Sequence, residues 1–141
     1  MTLFIDGASR GNPGRAAIGV ALYGPEGAPL KETGLGIGIT TNNLAEYIAL
    51  LYGLDEVLLH AGKKAVRTKD LELTIYSDSE LLIRQMSGRY QVKNDEIKRL
   101  YLLAQHIISG FGKVSFEKAS HDENRKADQL ANTALNKDSK Q

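Results

Sequence analysis

Apolar and polar residues alternate with a period of two at the start of the chain. Thr2 to Ile5 lead into Asp6, and a run of small or bend-forming residues follows: Gly7, Ala8, Ser9, Gly11, Asn12, Pro13, Gly14. The pattern predicts a strand over 2–7 with a carboxylate where its apolar run ends. "AAIGVALYG" (16–24) predicts a second strand, "PEGAP" (25–29) a turn, and "LKETGLGIGI" (30–39) a third strand loosened by glycine. Such short connections imply an antiparallel meander. The period then changes to 3.6, predicting a helix over 42–62 with Leu44, Tyr47, Ile48, Leu51, Leu54 and Leu58 on its apolar face and Gly62 as its stop. A strand (71–78), a short helix (79–86) and a longer helix (94–108) come next, the last with Ile97, Leu100, Tyr101, Ala104, Ile107 and Ile108 on one side. A fifth strand (111–119) precedes a final helix (120–135), which opens on a Ser120–Glu123 capping box and buries Ala127, Leu130, Ala131, Ala134 and Leu135. This order predicts an α/β domain: a mixed five-stranded sheet flanked by helices.

Composition narrows the function. A chain of 141 residues suits a single domain (1–141), with the polar tail 136–141 expected to fray. Without cysteine there is no disulfide, thiolate nucleophile or Cys-ligated zinc. No apolar run reaches the roughly 18 residues of a membrane span, and no basic-then-apolar leader opens the chain, so a cytoplasmic setting is expected. With a net charge of +1, phosphate binding must be local. The basic stretches are Lys63, Lys64, Arg67 and Lys69, and then Arg84, Arg89, Lys93, Lys98 and Arg99. No G-x-x-x-x-G-K-[ST] follows any strand, which removes a P-loop nucleotide site.

Four carboxylates change the picture. Asp6 and Asp78 each follow an apolar strand, where an Asp otherwise starts a turn or caps a helix. If the first and fourth strands are parallel neighbours, both stand at C-terminal strand ends, the edge where open α/β sheets bind ligands. Glu46 lies one turn into the first helix among apolar residues, where Asn43 and Glu46 could instead form a capping pair. Asp128 borders the buried stripe of the last helix. Carboxylates converging on one edge repel, their pKa values rise, and a hard divalent cation is the remedy. Two such ions about 4 Å apart clamp the attacking and leaving oxygens of a phosphoryl displacement.

"IDGASRGNPG", "TTNNLAEY", "IYSDS" and "ENRKADQLAN" together resemble the type 1 ribonuclease H family over roughly residues 2–135, and "MSGRYQVKN" is similar to a connection of that family. The resemblance implies a ribonuclease H-like fold, with strand order 3-2-1-4-5 and strand 2 antiparallel. It implies an endoribonuclease cutting the RNA strand of RNA–DNA hybrids with two Mg²⁺ ions, Mn²⁺ as a substitute, leaving 5′-phosphate and 3′-hydroxyl ends. Asp6, Glu46, Asp78 and Asp128 would be the catalytic metal ligands. Ser9, Gly11 and Asn12 would meet the ribose 2′-hydroxyls, which distinguish RNA from DNA. Asn42 and Asn43 would face the minor groove. Thr41 and Asn94 would bind a DNA-strand phosphate, although each is also a natural N-cap. The rival is a hybrid-binding module that does not cut. The expected partner is the hybrid alone, bound by a monomer with no protein partner.

Two features depart from the family pattern. Many members carry a histidine in a loop before the last Asp, and counting back ten positions from Asp128 lands on Lys118, with His121 seven residues before it. Both are candidate auxiliaries. Some relatives also insert a basic helix where only "SGRYQVK" stands here. Arg89 and Lys93 are then the remaining phosphate contacts, and the salt dependence of binding is expected to be shallow.

Overall fold

A computed structural model describes residues 1–138. Strands β1 (Thr2–Gly11), β2 (Gly14–Tyr23) and β3 (Pro29–Thr40) precede α1 (Asn42–Lys63). A 3₁₀ turn (Thr68–Asp70) leads to β4 (Glu72–Ser77), α2 (Glu80–Met86), α3 (Asp95–Ser109), β5 (Lys113–Lys118) and α4 (Arg125–Asp138). The sheet order is β3-β2-β1-β4-β5. The β1–β2 and β2–β3 pairs are antiparallel, while β1–β4 and β4–β5 are parallel. The expected architecture and strand order are therefore present.

Helix α1, backed by α3, covers one face of the sheet, and α4 covers β1, β2 and β3 from the other. Because β2 is covered on both faces, Ala16 to Leu22 are buried without a break, and the strand reads as a continuous apolar run. Leu3 and Ile5 touch Gly53 of α1, so Phe4 and Asp6 point to the opposite face.

Several local expectations need correction. β1 does not end at Asp6. It runs on to Gly11 as one arm of a hairpin that turns at Asn12 and Pro13. What ends near Asp6 is its partner: the β1–β4 ladder stops at Phe4 and Tyr76. The apolar face of α1 is wider and rotated, with Ala45, Glu46, Ala49, Leu50, Gly53, Val57 and Ala61 buried beside Tyr47 and Leu54. Leu44, Ile48, Leu51 and Leu58 are only partly buried. A helix clamped between a sheet and another helix buries more than one stripe.

Gly62 does not stop α1. Val66 N–H bonds Ala61 C=O, Ala65 N–H bonds Gly62 C=O, and Ala65 takes the left-handed position (φ 54°) that closes a Schellman turn. The Ser120–Glu123 box forms reciprocally, with bonds of 2.9 and 3.1 Å. It closes a turn, however, and α4 proper begins at Arg125. That helix continues through 136–138 of the tail expected to fray, and 139–141 lie outside the described residues. Among the described residues, no helix is long and apolar enough to cross a membrane.

Candidate active site

Asp6 and Asp78 each stand two residues beyond the last β1–β4 pair, so they share a level at the edge of the sheet. Two glycines bring the helices to them. A Cβ on Gly7 would lie 2.4 Å from the Ala45 carbonyl carbon and 2.5 Å from Glu46 N, so only glycine lets the first turn of α1 rest on β1. Gly19, opposite Asp6 in the β1–β2 ladder, holds α4 in the same way: a Cβ there would sit 1.9 Å from Ala127 O. Glu46 and the residue before Asp128 thus come close to Asp6 through bare backbone.

The local roles open to these acids belong to other residues. Thr41, not Asn43 with Glu46, caps α1, its side chain accepting from Leu44 N–H at 3.3 Å. Ser79, not Asp78, caps α2. Asp6, Glu46 and Asp78 each offer a carboxylate oxygen within 4.8 Å of the others. Asp6 and Glu46 are buried, and Glu46 Oε2 has no hydrogen-bond partner. Asp128 lies beside this trio, hydrogen-bonded to Asp6 and held by Asn132 Nδ2 at 3.1 Å.

Burial, followed by the charges of Asp78 and Asp128 and the hydrogen bond with Asp128, pushes the Asp6 carboxyl up to about 8, against some relief from Gly7 N–H. Burial, then Asp6 and Asp78, raises Glu46 well above the usual carboxylate range. Three or four clustered carboxylates, two of them buried and raised for want of a counter-charge, form a donor set that could hold a hard divalent cation.

Along β1 from the acids stands a bracket of neutral polar groups. Asn42 Oδ1 accepts from Ser9 N–H at 3.2 Å and lies 2.7 Å from Ser9 Oγ, which is also 2.6 Å from Gly11 O. Asn12 Oδ1 accepts from Asn42 N–H at 3.0 Å. Ser9, Gly11, Asn12 and Asn42 therefore form one group, with Asn43 exposed beside it.

Thr41 and Asn94 are the N-caps of α1 and α3, Asn94 accepting from Ile97 N–H at 3.0 Å. Arg89 and Lys93 are exposed in the α2–α3 connection, where Arg89 lines a pocket of about 360 Å³ with Tyr90, Lys98 and Tyr101. Lys118 ends β5 and pairs with Glu80 at 3.8 Å, while His121 is exposed on the turn before α4. Gly7, Gly19 and Asn124 were missed as supports of the site. Gly7 and Asn124 stand inside the motifs "IDGASRGNPG" and "ENRKADQLAN", which gave them no role of their own.

A mixed five-stranded sheet with a carboxylate cluster able to hold a metal ion, at the edge where its parallel pair ends, marks an α/β protein with a candidate metal site. Residues 4–134 match the family described as reverse transcriptase-like. LC11-RNase H1, solved in complex with an RNA/DNA hybrid, aligns with a TM-score of 0.88 and 38% identity, covering 96% of each chain. RNase H1 from the archaeon Halobacterium salinarum aligns with a TM-score of 0.87 and 33% identity, covering 96% of this chain and 97% of that one. The bifunctional protein Rv2228c of Mycobacterium tuberculosis is 39% identical over 131 residues. These make up 92% of this chain and 34% of that protein, so the chain spans about a third of that relative's length. The chain belongs to the type 1 ribonuclease H family.

Proposed function

We propose that the protein hydrolyses the RNA strand of RNA–DNA hybrids, leaving 5′-phosphate and 3′-hydroxyl ends. The observation that carries this reading is the convergence of Asp6, Glu46 and Asp78, from a strand, a helix and a strand end, with oxygens within 4.8 Å of one another. With Asp128 they would hold Mg²⁺, or Mn²⁺ in its place. Divalent cations held there supply Lewis-acid chemistry, activating a water nucleophile and neutralising charge that develops on the scissile phosphate and the leaving 3′-oxygen.

The chain's own residues orient the substrate. Backbone N–H groups only donate, so the bonds from Ser9 N–H and Asn42 N–H fix Asn42 Oδ1 and Asn12 Oδ1 as acceptors. Both amides then keep Nδ2 as a donor for the substrate. In the minor groove every base pair presents acceptors, so a donor there reads position without reading sequence. The Ser9–Asn12 backbone and hydroxyl meet the ribose 2′-hydroxyl, which both donates and accepts. Asn43 extends this contact, Thr41 and Asn94 receive a DNA-strand phosphate, and Arg89 and Lys93 add charge.

His121 and Lys118 are auxiliaries in this reading, and comparing His121→Ala with Lys118→Ala separates them by which lowers turnover. The acting species is proposed to be a cytoplasmic monomer, and light scattering of the purified chain reads its mass.

The test uses labelled hybrid, RNA duplex and single-stranded RNA, each with Mg²⁺ and with a chelator. Cleavage of the hybrid's RNA strand alone, lost with the chelator, is expected. Hybrid binding without cleavage would overturn the reading in favour of a binding module.

A further inference from the structure

Asn124 is fully buried, yet it is neither an acid of the cluster nor a substrate contact. Its Nδ2 donates to the carbonyl of Ile5 at 3.0 Å, and that carbonyl belongs to the peptide that enters Asp6. Its own carbonyl accepts from Asp128 N–H at 3.0 Å. A single residue is therefore bonded to the peptide before one acid and to the amide of another, across 119 positions of sequence on the Ile5 side. The bond to Ile5 falls just past Phe4, where β1 has lost its β4 partner. The same turn is closed from outside by the Ser120–Glu123 box and by Asn124 N–H to Ser120 C=O at 3.0 Å. Meanwhile Asn124 Oδ1 is buried without a hydrogen-bond partner, a cost to stability that an apolar side chain of similar volume would not carry. An amide kept in such a place serves through what its other end fixes.

We propose that Asn124 is a positioning residue that sets the placement of Asp6 against Asp128, and through it the affinity of the acidic cluster for a divalent cation. The proposal rests on the cation-binding reading given above. Residues behind metal ligands commonly act in this way, orienting the ligands without touching the ion.

The experiment compares the parent chain with Asn124→Ala, Asn124→Leu and Val57→Ala, the last a cavity in the α1 core far along the helix from Glu46. Leucine keeps the branching of Asn124 with somewhat more bulk and alanine leaves less, so the two delete the donor from opposite sides of its volume. Thermal melting in chelator reads stability, calorimetric titration with Mg²⁺ reads cation binding, and hybrid cleavage gives kcat and KM. Both Asn124 variants are expected to bind Mg²⁺ roughly 10-fold or more weakly, with kcat falling more than KM rises. Val57→Ala is expected to melt lower with Mg²⁺ binding unchanged. Folded Asn124 variants that bind Mg²⁺ as the parent does would overturn the proposal and leave Asn124 a staple of the fold. Failure of both variants to fold would overturn it as well. A parent that takes up no Mg²⁺ would remove the cation reading itself, an outcome distinct from equal binding by parent and variants.

Discussion

Asp6 and Ser9 lie three residues apart on the same strand, in opposite conditions. Asp6 is 5% exposed among like charges, with its carboxyl pushed up to about 8 and a neighbouring Glu46 oxygen left without a partner. Around Ser9, the hydroxyl, the backbone N–H and the facing amide oxygens all have partners within the chain. The acidic end thus carries charge that nothing in the chain offsets, whereas the polar groups at the hairpin end are already bonded to one another. On the proposed function, the unmet charge would mark the reacting end and the neutral groups fixed from inside the end that recognises.

The largest way to break this comparison is Asp6→Asn, which should abolish hybrid cleavage. The same change should stabilise the metal-free fold at pH 8 by several degrees, since about 1 kcal/mol moves a domain of this size by roughly 3–6 °C. The sign follows from the raised carboxyl. Between its ordinary 3.8 and about 8, the folded chain holds more protons at Asp6 than the unfolded chain does. The stability this provides is complete below the lower value and lost as the pH rises through the upper one. Melting curves in chelator should therefore fall between pH 5 and pH 8 for the parent and flatten for Asp6→Asn. Mg²⁺ should raise the parent's melting temperature more at pH 8 than at pH 5, because protons compete with the cation for the same oxygens. An equal rise at both values would show that the cluster is not where Mg²⁺ binds.

Gly19→Ala comes next. Its new methyl would meet Ala127 O, so α4 must lift from β2, at a cost of about 1–3 kcal/mol. Cleavage should fall with it as Asp128 moves away, which denaturant unfolding and kinetics read together. On the satisfied side, Asn42→Ala should act mainly on binding. A lost hydrogen bond of about 1 kcal/mol raises KM roughly 5-fold with little change in kcat. A fall in kcat instead would erase the division between the reacting and the recognising end.

The smallest effect is far from both regions. Ala65→Gly relieves a left-handed residue at the end of α1 and should stabilise the fold by about 0.5–1 kcal/mol without altering cleavage. That result would show that strain outside the cluster is incidental to activity.

The order of strands and helices, the apolar run of β2 and the four acids as candidates were legible from periodicity and residue type. Each depends on neighbours within a turn or a strand of the same segment, and hydrophobic patterning records that scale. Element ends were read less well. β1 passes Asp6 because hairpin pairing with β2 outlasts the ladder with β4, and α4 starts late because the Ser120–Glu123 box closes a turn first.

What only the tertiary structure decided is the meeting of Asp6 with Glu46, Asp78 and Asp128, and the assignment of the capping roles to Thr41 and Ser79. That meeting depends on backbones touching at Gly7 and Gly19 and on Asn124 reaching Ile5. Contacts between segments so far apart along the chain leave no period in the sequence. They arise only when helices settle against a sheet, because close packing rather than local propensity sets how near two backbones come.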